Sequence, residues 1–268
     1  MPPGVREALA STGVGVEERA GRVMALPADA SGAAAVVRLA RERGWVVAPA
    51  WARAEALTRP PVVVSLERMA AITEVLPADL MAVVEAGVTA GALEERLREH
   101  AMFWPVSDEA APDEAVGDIL ARAPGNWTRR GNLVRRYVLG LDAVLADGEV
   151  ARTGSRTVKC VTGYDLKQLF IGSRGALGIV VSAVLRLEAD GRREAIREAY
   201  ARDFAGLAAA AAMGGSAAKE SGGGSPRSGA AAGGLTILAR LKAELDPDGV
   251  FPPLDALFGA DALPGGRG

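Results

Sequence analysis

The chain has 268 residues, 49% of them hydrophobic and 24% charged, with a formal net charge of -2. That is long enough for a real hydrophobic core, and it lacks the electrostatic footprint of a nucleic-acid-binding protein. The single cysteine, Cys160, excludes an internal disulfide and any CxxC metal or iron–sulfur site, and the single histidine, His100, leaves too few soft ligands for a typical zinc centre.

In chain order, residues 1–22 carry charges and no apolar core, which predicts a flexible N-terminus and no secretory signal. Val23–Leu26 reads as a strand, and Ser31 as the N-cap of a helix running to Arg43, closed by Gly44. Trp45–Ala48, Val62–Leu66 and Leu80–Glu85 read as further strands. Thr89 opens a helix to Glu99, with Leu93 and Leu97 on one face. His100, at the end of that pattern, reads as structural rather than as a catalytic base.

A second unit begins near Val116. Tyr137–Ala146 is a long strand, Asp147-Gly148 a hairpin turn and Glu149–Arg152 the return strand. Asp165–Phe170 is a short helix, Ile179–Leu187 a β-branched strand, and Arg192–Ala212 a helix running into an alanine tract. Residues 213–234, rich in Gly, Ser and Ala, predict a flexible linker. Leu235–Leu245 follows as a helix, Asp246-Pro247-Asp248-Gly249 as a tight turn, and the residues after it as a loose tail. No stretch approaches the roughly 20 apolar residues of a membrane span. A cytoplasmic protein is expected, peripheral at a membrane only through partners.

The sharpest local feature is KCVTGYDLKQLFIGSRGALGIVV, residues 159–181. Gly172, Gly175 and Gly178 recur every third residue between a helix and a strand. Glycines there let backbone amides approach a ligand, and successive N–H groups form an anion-binding concavity. The alternative is a pair of tight turns entering a strand. The order helix, glycines, strand is the reverse of the dinucleotide-binding G-x-G-x-x-G unit, and no P-loop is present.

VKCVTGYDLKQLFIGSRGALGI (158–179) resembles the signature of the FAD-linked oxidase family, the vanillyl-alcohol-oxidase type, and within it the FAD-binding subunits of bacterial glycolate oxidases. VVEAGVTAGALEERL (83–97), AVGDILA (115–121), VLGLDAVLADGEV (138–150) and LKAELDPDGVFPP (241–253) are similar to family segments in the same order. The resemblance implies an α+β fold: a two-subdomain FAD-binding domain over 23–190, divided at about 105/106. The substrate domain is mostly missing, because 191–234 holds only a helix and the low-complexity linker, before the C-terminal helix and tail at 235–268.

FAD is the cofactor so implied. The positions that match the family's FAD loops are Pro49, Trp51, Ala52 and Arg53 in the first, Val116, Gly117 and Asp118 in the second, and Gly125 and Gly131 in the third, with Gly163, Gly172, Gly175, Gly178 and Ile179 in the signature. The family's first loop is Arg-Gly-Gly-Gly, whereas residues 49–54 here contain no glycine. Asp118 replaces a glycine and puts a carboxylate near the expected phosphate or flavin. No catalytic residue is assigned and no metal ligand is expected. The resemblance implies an FAD subunit of an oxidase of glycolate or another small 2-hydroxy acid, working with catalytic and iron–sulfur partner subunits. The departures leave open a non-catalytic scaffold that has lost flavin binding.

Overall fold

The computed structural model describes residues 4–49, 57, 59, 61–125, 128–154, 165–204 and 226–258, and of 226–234 only the backbone. Trp51, Ala52, Arg53, Cys160, Gly163 and the first part of the expected linker lie outside the described residues.

The chain begins with helix α1 (Val5–Ala10) and strand β1 (Gly15–Arg19), which runs antiparallel to β2 (Arg22–Leu26). The expected flexible N-terminus is therefore an ordered part of the first sheet. Val5, Leu9 and Val14 are buried, an apolar set too sparse to announce itself among the charges. Gly21, at a φ of 71°, makes the hairpin turn. Helix α2 (Ala30–Arg43) starts two residues earlier than expected. Asp29 rather than Ser31 is the cap, its carboxylate accepting from the Gly32 amide at 2.7 Å. Gly44 closes the helix in the left-handed region, with the Trp45 amide reaching back to the Ala40 carbonyl.

Strands β3 (Val46–Pro49) and β4 (Pro61–Val64) complete a four-stranded sheet in the order β1-β2-β4-β3, with β2, β4 and β3 mutually parallel. The second sheet has five antiparallel strands, β5-β6-β10-β8-β9: β5 (Ile72–Leu76), β6 (Met81–Glu85), β8 (Val138–Val144), β9 (Val150–Gly154) and β10 (Ile179–Arg186). A small ladder joins β7 (Met102–Phe103) to β11 (Glu188–Ala189). The division between the sheets thus falls between Val64 and Ile72, not near residue 105. Strand alternation along the chain cannot reveal it, because β6 pairs with β10, about a hundred positions later.

Helix α3 (Ala90–Arg98), capped by the Thr89 hydroxyl, packs with α4 (Val116–Ala121) and α5 (Arg129–Arg136) over the second sheet, enclosing the fully buried Trp104. Helix α2 packs under the first sheet and also meets Val144 and Val181 from the second, so one helix spaces the two sheets. After the short helix α6 (Lys167–Phe170) and β11 come α7, described over 193–204, and α8 (Pro226–Leu245). The part of the expected linker from 226 onward is thus the start of a helix. Residues 205–225, the middle of the span expected to replace the substrate domain, lie outside the described residues. The first part of the expected loose tail is packed: α9 (Leu254–Phe258) buries Leu254, Ala256 and Leu257, and residues 259–268 lie outside the described residues. No helix among the described residues is long and apolar enough to cross a membrane.

Where the sheets and helices meet, Tyr137 is buried and donates its phenol proton to Glu188 at 3.2 Å, while Arg192 pairs with the other Glu188 oxygen at 2.8 Å. Burial first, and the Glu188 charge second, push the Tyr137 phenol up to about 12 from an ordinary value of 10.0. The native state keeps this proton where the unfolded chain has lost it. The tyrosine's contribution is therefore whole below pH 10.0 and is lost as pH climbs to about 12. Urea midpoints should fall across that interval, and Glu188→Gln should flatten the fall. A midpoint independent of pH there would refute the buried phenol.

Candidate functional site

A cleft opens between the two sheets. Its first wall is the carboxyl end of the parallel strands: Val47, Ala48 and Pro49 from β3, then Val64, Ser65, Leu66 and Glu67 following β4. Crevices outside the carboxyl ends of parallel strands are where open sheets bind ligands, because the chain there leaves the ladder with backbone groups still to be satisfied. The facing wall is Ala86, Gly87 and Thr89 beyond β6, then Gly117, Asp118 and Ala121 of α4, and the loop Gly175–Val180 entering β10. Phe251, from the segment after α8, joins the lining. The described walls enclose about 230 Å³.

The glycines of this cleft serve different purposes. A Cβ at Gly87 would lie 2.0 Å from the Leu66 carbonyl oxygen, at Gly117 2.9 Å from the Ala86 Cβ, and at Gly178 2.7 Å from the Val144 carbonyl oxygen. These three are absent-side-chain positions that let the walls close. Gly175 is different. It has a φ of 77°, and a Cβ there would meet only the Pro49 ring at van der Waals distance, 3.8 Å to Cγ. Its N–H has no hydrogen-bond partner among the described residues. The residue before it, Arg174, also sits at positive φ, 56°. Backbone strain of this kind persists only where surrounding contacts over-determine it.

Of the positions singled out by sequence, the cleft brings together Pro49, Gly117, Asp118, Gly175, Gly178 and Ile179. Val116 lies in the hydrophobic core behind the lining, its amide bonded to the Val88 carbonyl. Gly125, Gly131 and Gly172 lie off the described lining and pack backbone against backbone. A Cβ at Gly131 would be 2.2 Å from the Gly125 oxygen, and one at Gly172 would be 2.7 Å from the Ala123 oxygen. Arg135 binds these pieces together, donating to the carbonyls of Pro124, Gly131 and Ile171. Its burial lowers the guanidinium's proton affinity below the ordinary value.

Residues the sequence did not single out also line the cleft, Ser65, Glu67, Thr89, Asp113 and Phe251 among them. The strand was readable, though it was expected to run through Ser65 to Leu66 and ends at Val64, but its parallel pairing, which makes the end a binding edge, was not. Glu67 is held by a forked pair with Arg19, at 2.8 and 2.6 Å, and accepts from Ser65. Arg19 keeps its carboxyl below the usual range. Asp113 is exposed at the mouth, and Asp118 sits in the first turn of α4, where a helix N-terminus favours negative charge. No Lys or Arg is among the described lining residues. The described residues contain no cluster able to hold a metal ion.

Comparison with known proteins points one way. Residues 22–154 match a family described as FAD binding domain. The chain is 36% identical over 128 residues to D-2-hydroxyglutarate dehydrogenase of Stutzerimonas stutzeri strain A1501, covering 47% of this chain and 28% of that protein. It is 34% identical over 131 residues to glycolate oxidase subunit GlcD of Bacillus subtilis strain 168, covering 48% and 28%. It is 34% identical over 171 residues to D-2-hydroxyglutarate dehydrogenase of Xanthomonas citri pv. viticola, covering 61% and 36%. The matched part is thus about a third of those relatives' length. Among solved structures, alkyldihydroxyacetonephosphate synthase superposes with a TM-score of 0.52 at 19% identity, over 62% of this chain and 31% of that one. FgChi7B superposes with a TM-score of 0.55 at 18% identity, over 70% and 43%. At these identities the structural likenesses speak to fold alone.

The residues of the cleft fit FAD in part. Its volume is below the roughly 300–1,000 Å³ of ordinary ligand pockets, so the described walls take only a portion of a dinucleotide. The apolar lining of Ala48, Val64, Ala86 and Phe251 suits a ring or a sugar face, and Asp113, Asp118 and Thr89 suit hydroxyl-bearing parts. A diphosphate would meet the Gly175 amide and not a cationic side chain of the described lining.

Proposed function

We propose that this chain, whose residues 22–154 match a family described as FAD binding domain, is the cofactor-holding component of an FAD-linked oxidoreductase acting on a small 2-hydroxy acid. The observation that carries the reading is the cleft itself. It sits at the carboxyl edge of the parallel strands and is lined by Gly175, whose amide has no hydrogen-bond partner among the described residues and which follows Arg174 at a positive φ. The matched relatives named for glycolate and D-2-hydroxyglutarate supply the substrate class.

When bound, FAD supplies a two-electron acceptor for oxidation of an alcohol to a ketone or aldehyde. The chain's own residues bind and orient it. Asp113 and Thr89 would take up ribose or ribityl hydroxyls, the Gly175 amide would be available to phosphate oxygen, and Phe251 with Val64 would keep water from one side. In this reading partner subunits provide the carboxylate-binding groups and the base, and an iron–sulfur partner takes the electrons onward. A scaffold that no longer holds flavin is the competing reading, and the carboxylates among the described lining, Glu67, Asp113 and Asp118, favour it.

The visible spectrum of the purified chain decides between them. A yellow chain that releases FAD on acid treatment, and is bleached anaerobically by glycolate, D-lactate or D-2-hydroxyglutarate once partners are added, supports the oxidoreductase reading. A colourless chain that takes up no added FAD establishes the scaffold. Gly175→Val should weaken FAD binding at least tenfold. The strain of a branched residue at positive φ, about 1–3 kcal/mol, adds to blocked approach. Gly191→Ala, with nothing within 4 Å of the new Cβ, should bind FAD as the parent does.

A further inference from the structure

The C-terminal segment touches both walls of the cleft. Beyond α8, the Val250 carbonyl accepts from the Val47 amide at 2.7 Å, which ties the segment to the edge of β3. Asp248 pairs with Arg41 at 2.7 Å. Further on, α9 reaches the opposite wall. Arg174 donates Nη1 to the Leu257 carbonyl at 2.6 Å, and its guanidinium lies over the Phe258 ring at 4.8 Å. Leu254 and Leu257 pack with Ala48 of β3 and with Ala176 of the glycine loop in one small cluster.

Arg174 is the residue that begins the strained pair with Gly175. Non-glycine residues at positive φ cost on the order of 1–3 kcal/mol unless held. Among the described residues, Arg174 is held by its amide bond to the Ala121 carbonyl, by the turn that the Ala176 amide closes onto the Ser173 carbonyl, and by its side-chain contacts to Leu257 and Phe258. A carbonyl acceptor and a ring face both suit a guanidinium, whose planar fork can donate in its plane while stacking on an aromatic ring.

We infer that α9 is a strap across the cofactor cleft, and that Arg174, clasped by Leu257 and Phe258, is a positioning residue that sets the Gly175 loop against β3 for cofactor binding. The inference rests on the reading of the cleft as the flavin site. The strap itself is a property of the chain without cofactor. Loosening it frees the loop to leave the left-handed region, so the Gly175 amide no longer faces the cleft in a fixed direction.

The test uses the full chain as parent, Arg174→Ala, Arg174→Lys and Phe258→Ala, with Ile237→Ala, an exposed position on α8, as control. Amide hydrogen exchange is followed without cofactor, and FAD affinity and the circular dichroism of bound flavin are measured by titration. Arg174→Ala and Phe258→Ala should speed exchange at the described amides of 172–178 at least tenfold, leave β8 and β10 protected, and weaken FAD at least tenfold with an altered flavin dichroism. Arg174→Lys, which keeps a donor but not the fork, should fall between. Unchanged exchange at 172–178 overturns the strap, and exchange accelerated throughout the chain does so too, since that marks general destabilisation. Local acceleration with unchanged FAD affinity overturns the positioning role. If the parent takes up no FAD, the flavin reading fails and the positioning role with it, while the exchange arm still decides the strap.

Discussion

Asp246→Ala should cost the protein about 3–5 kcal/mol, the range for stripping one partner from a buried ion pair. The Asp246 side chain is wholly inaccessible. One carboxylate oxygen accepts the Val250 amide at 2.7 Å, the other the Phe251 amide at 2.9 Å and the Lys242 ammonium. Burial is the main influence on Lys242 and lowers its proton affinity, with Asp246 opposing that. Alanine therefore strands two amides away from water and leaves the mostly buried Lys242 ammonium with only the Phe251 carbonyl at 3.1 Å, each group carrying a desolvation penalty that its lost acceptor no longer offsets. Asp246→Asn keeps an acceptor and should cost less. Lys242→Met placed on the alanine background should restore part of the loss, because the orphaned charge is gone. Denaturant midpoints with an unchanged slope are the measurement. A loss under about 1 kcal/mol would mean that the carboxylate does not hold the turn that seats Phe251.

Gly87→Ala should be nearly as severe for a different reason. The added methyl would sit 2.0 Å from the Leu66 carbonyl oxygen and 2.8 Å from that of Met69. Both are backbone atoms, and no side-chain rotamer can relieve the overlap. The 66–69 turn is itself bonded to Gly87 through the Gly87 amide and the Met69 carbonyl at 2.8 Å. The turn must move, and it carries Leu66 and Glu67 of the cleft lining. The expected cost is about 3 kcal/mol, the upper end for overpacking a rigid site, together with loss of FAD uptake. Gly191→Ala again serves as the silent comparison. Wild-type stability and FAD uptake in Gly87→Ala would show that the two walls do not close on each other there.

The elements that depend on neighbours in sequence were legible. Asp147-Gly148 turns the β8–β9 hairpin with Gly148 at a φ of 80°, and Thr89 caps α3 as its type and place suggest. What escaped depends on distant partners. The ordered N-terminus rests on β1 finding β2 and on Val5 and Leu9 finding a core. The tail is packed because Val250 meets β3 and Arg174 meets α9. Of the cleft, the glycines were visible as glycines, but nothing local distinguishes Gly172, which faces a carbonyl at 2.7 Å, from Gly175, which meets only the Pro49 ring at van der Waals distance. Phe251 could have been suspected only from an Asp-Pro turn followed by an aromatic.

The strand order β5-β6-β10-β8-β9 carries a consequence for biosynthesis. As the chain leaves the ribosome, residues 15–64 can assemble their sheet while the rest is still being made. The second sheet has to wait, because its middle place belongs to residues 179–186. Until then β6 and β8 each present an unsatisfied flank, open to pairing with the wrong neighbour. The edge of β3 stays bare longer still, since residue 250 covers it. A translational pause before residue 179 is thus the point of greatest exposure to aggregation, and chaperone dependence should be sharpest for nascent chains of about that length.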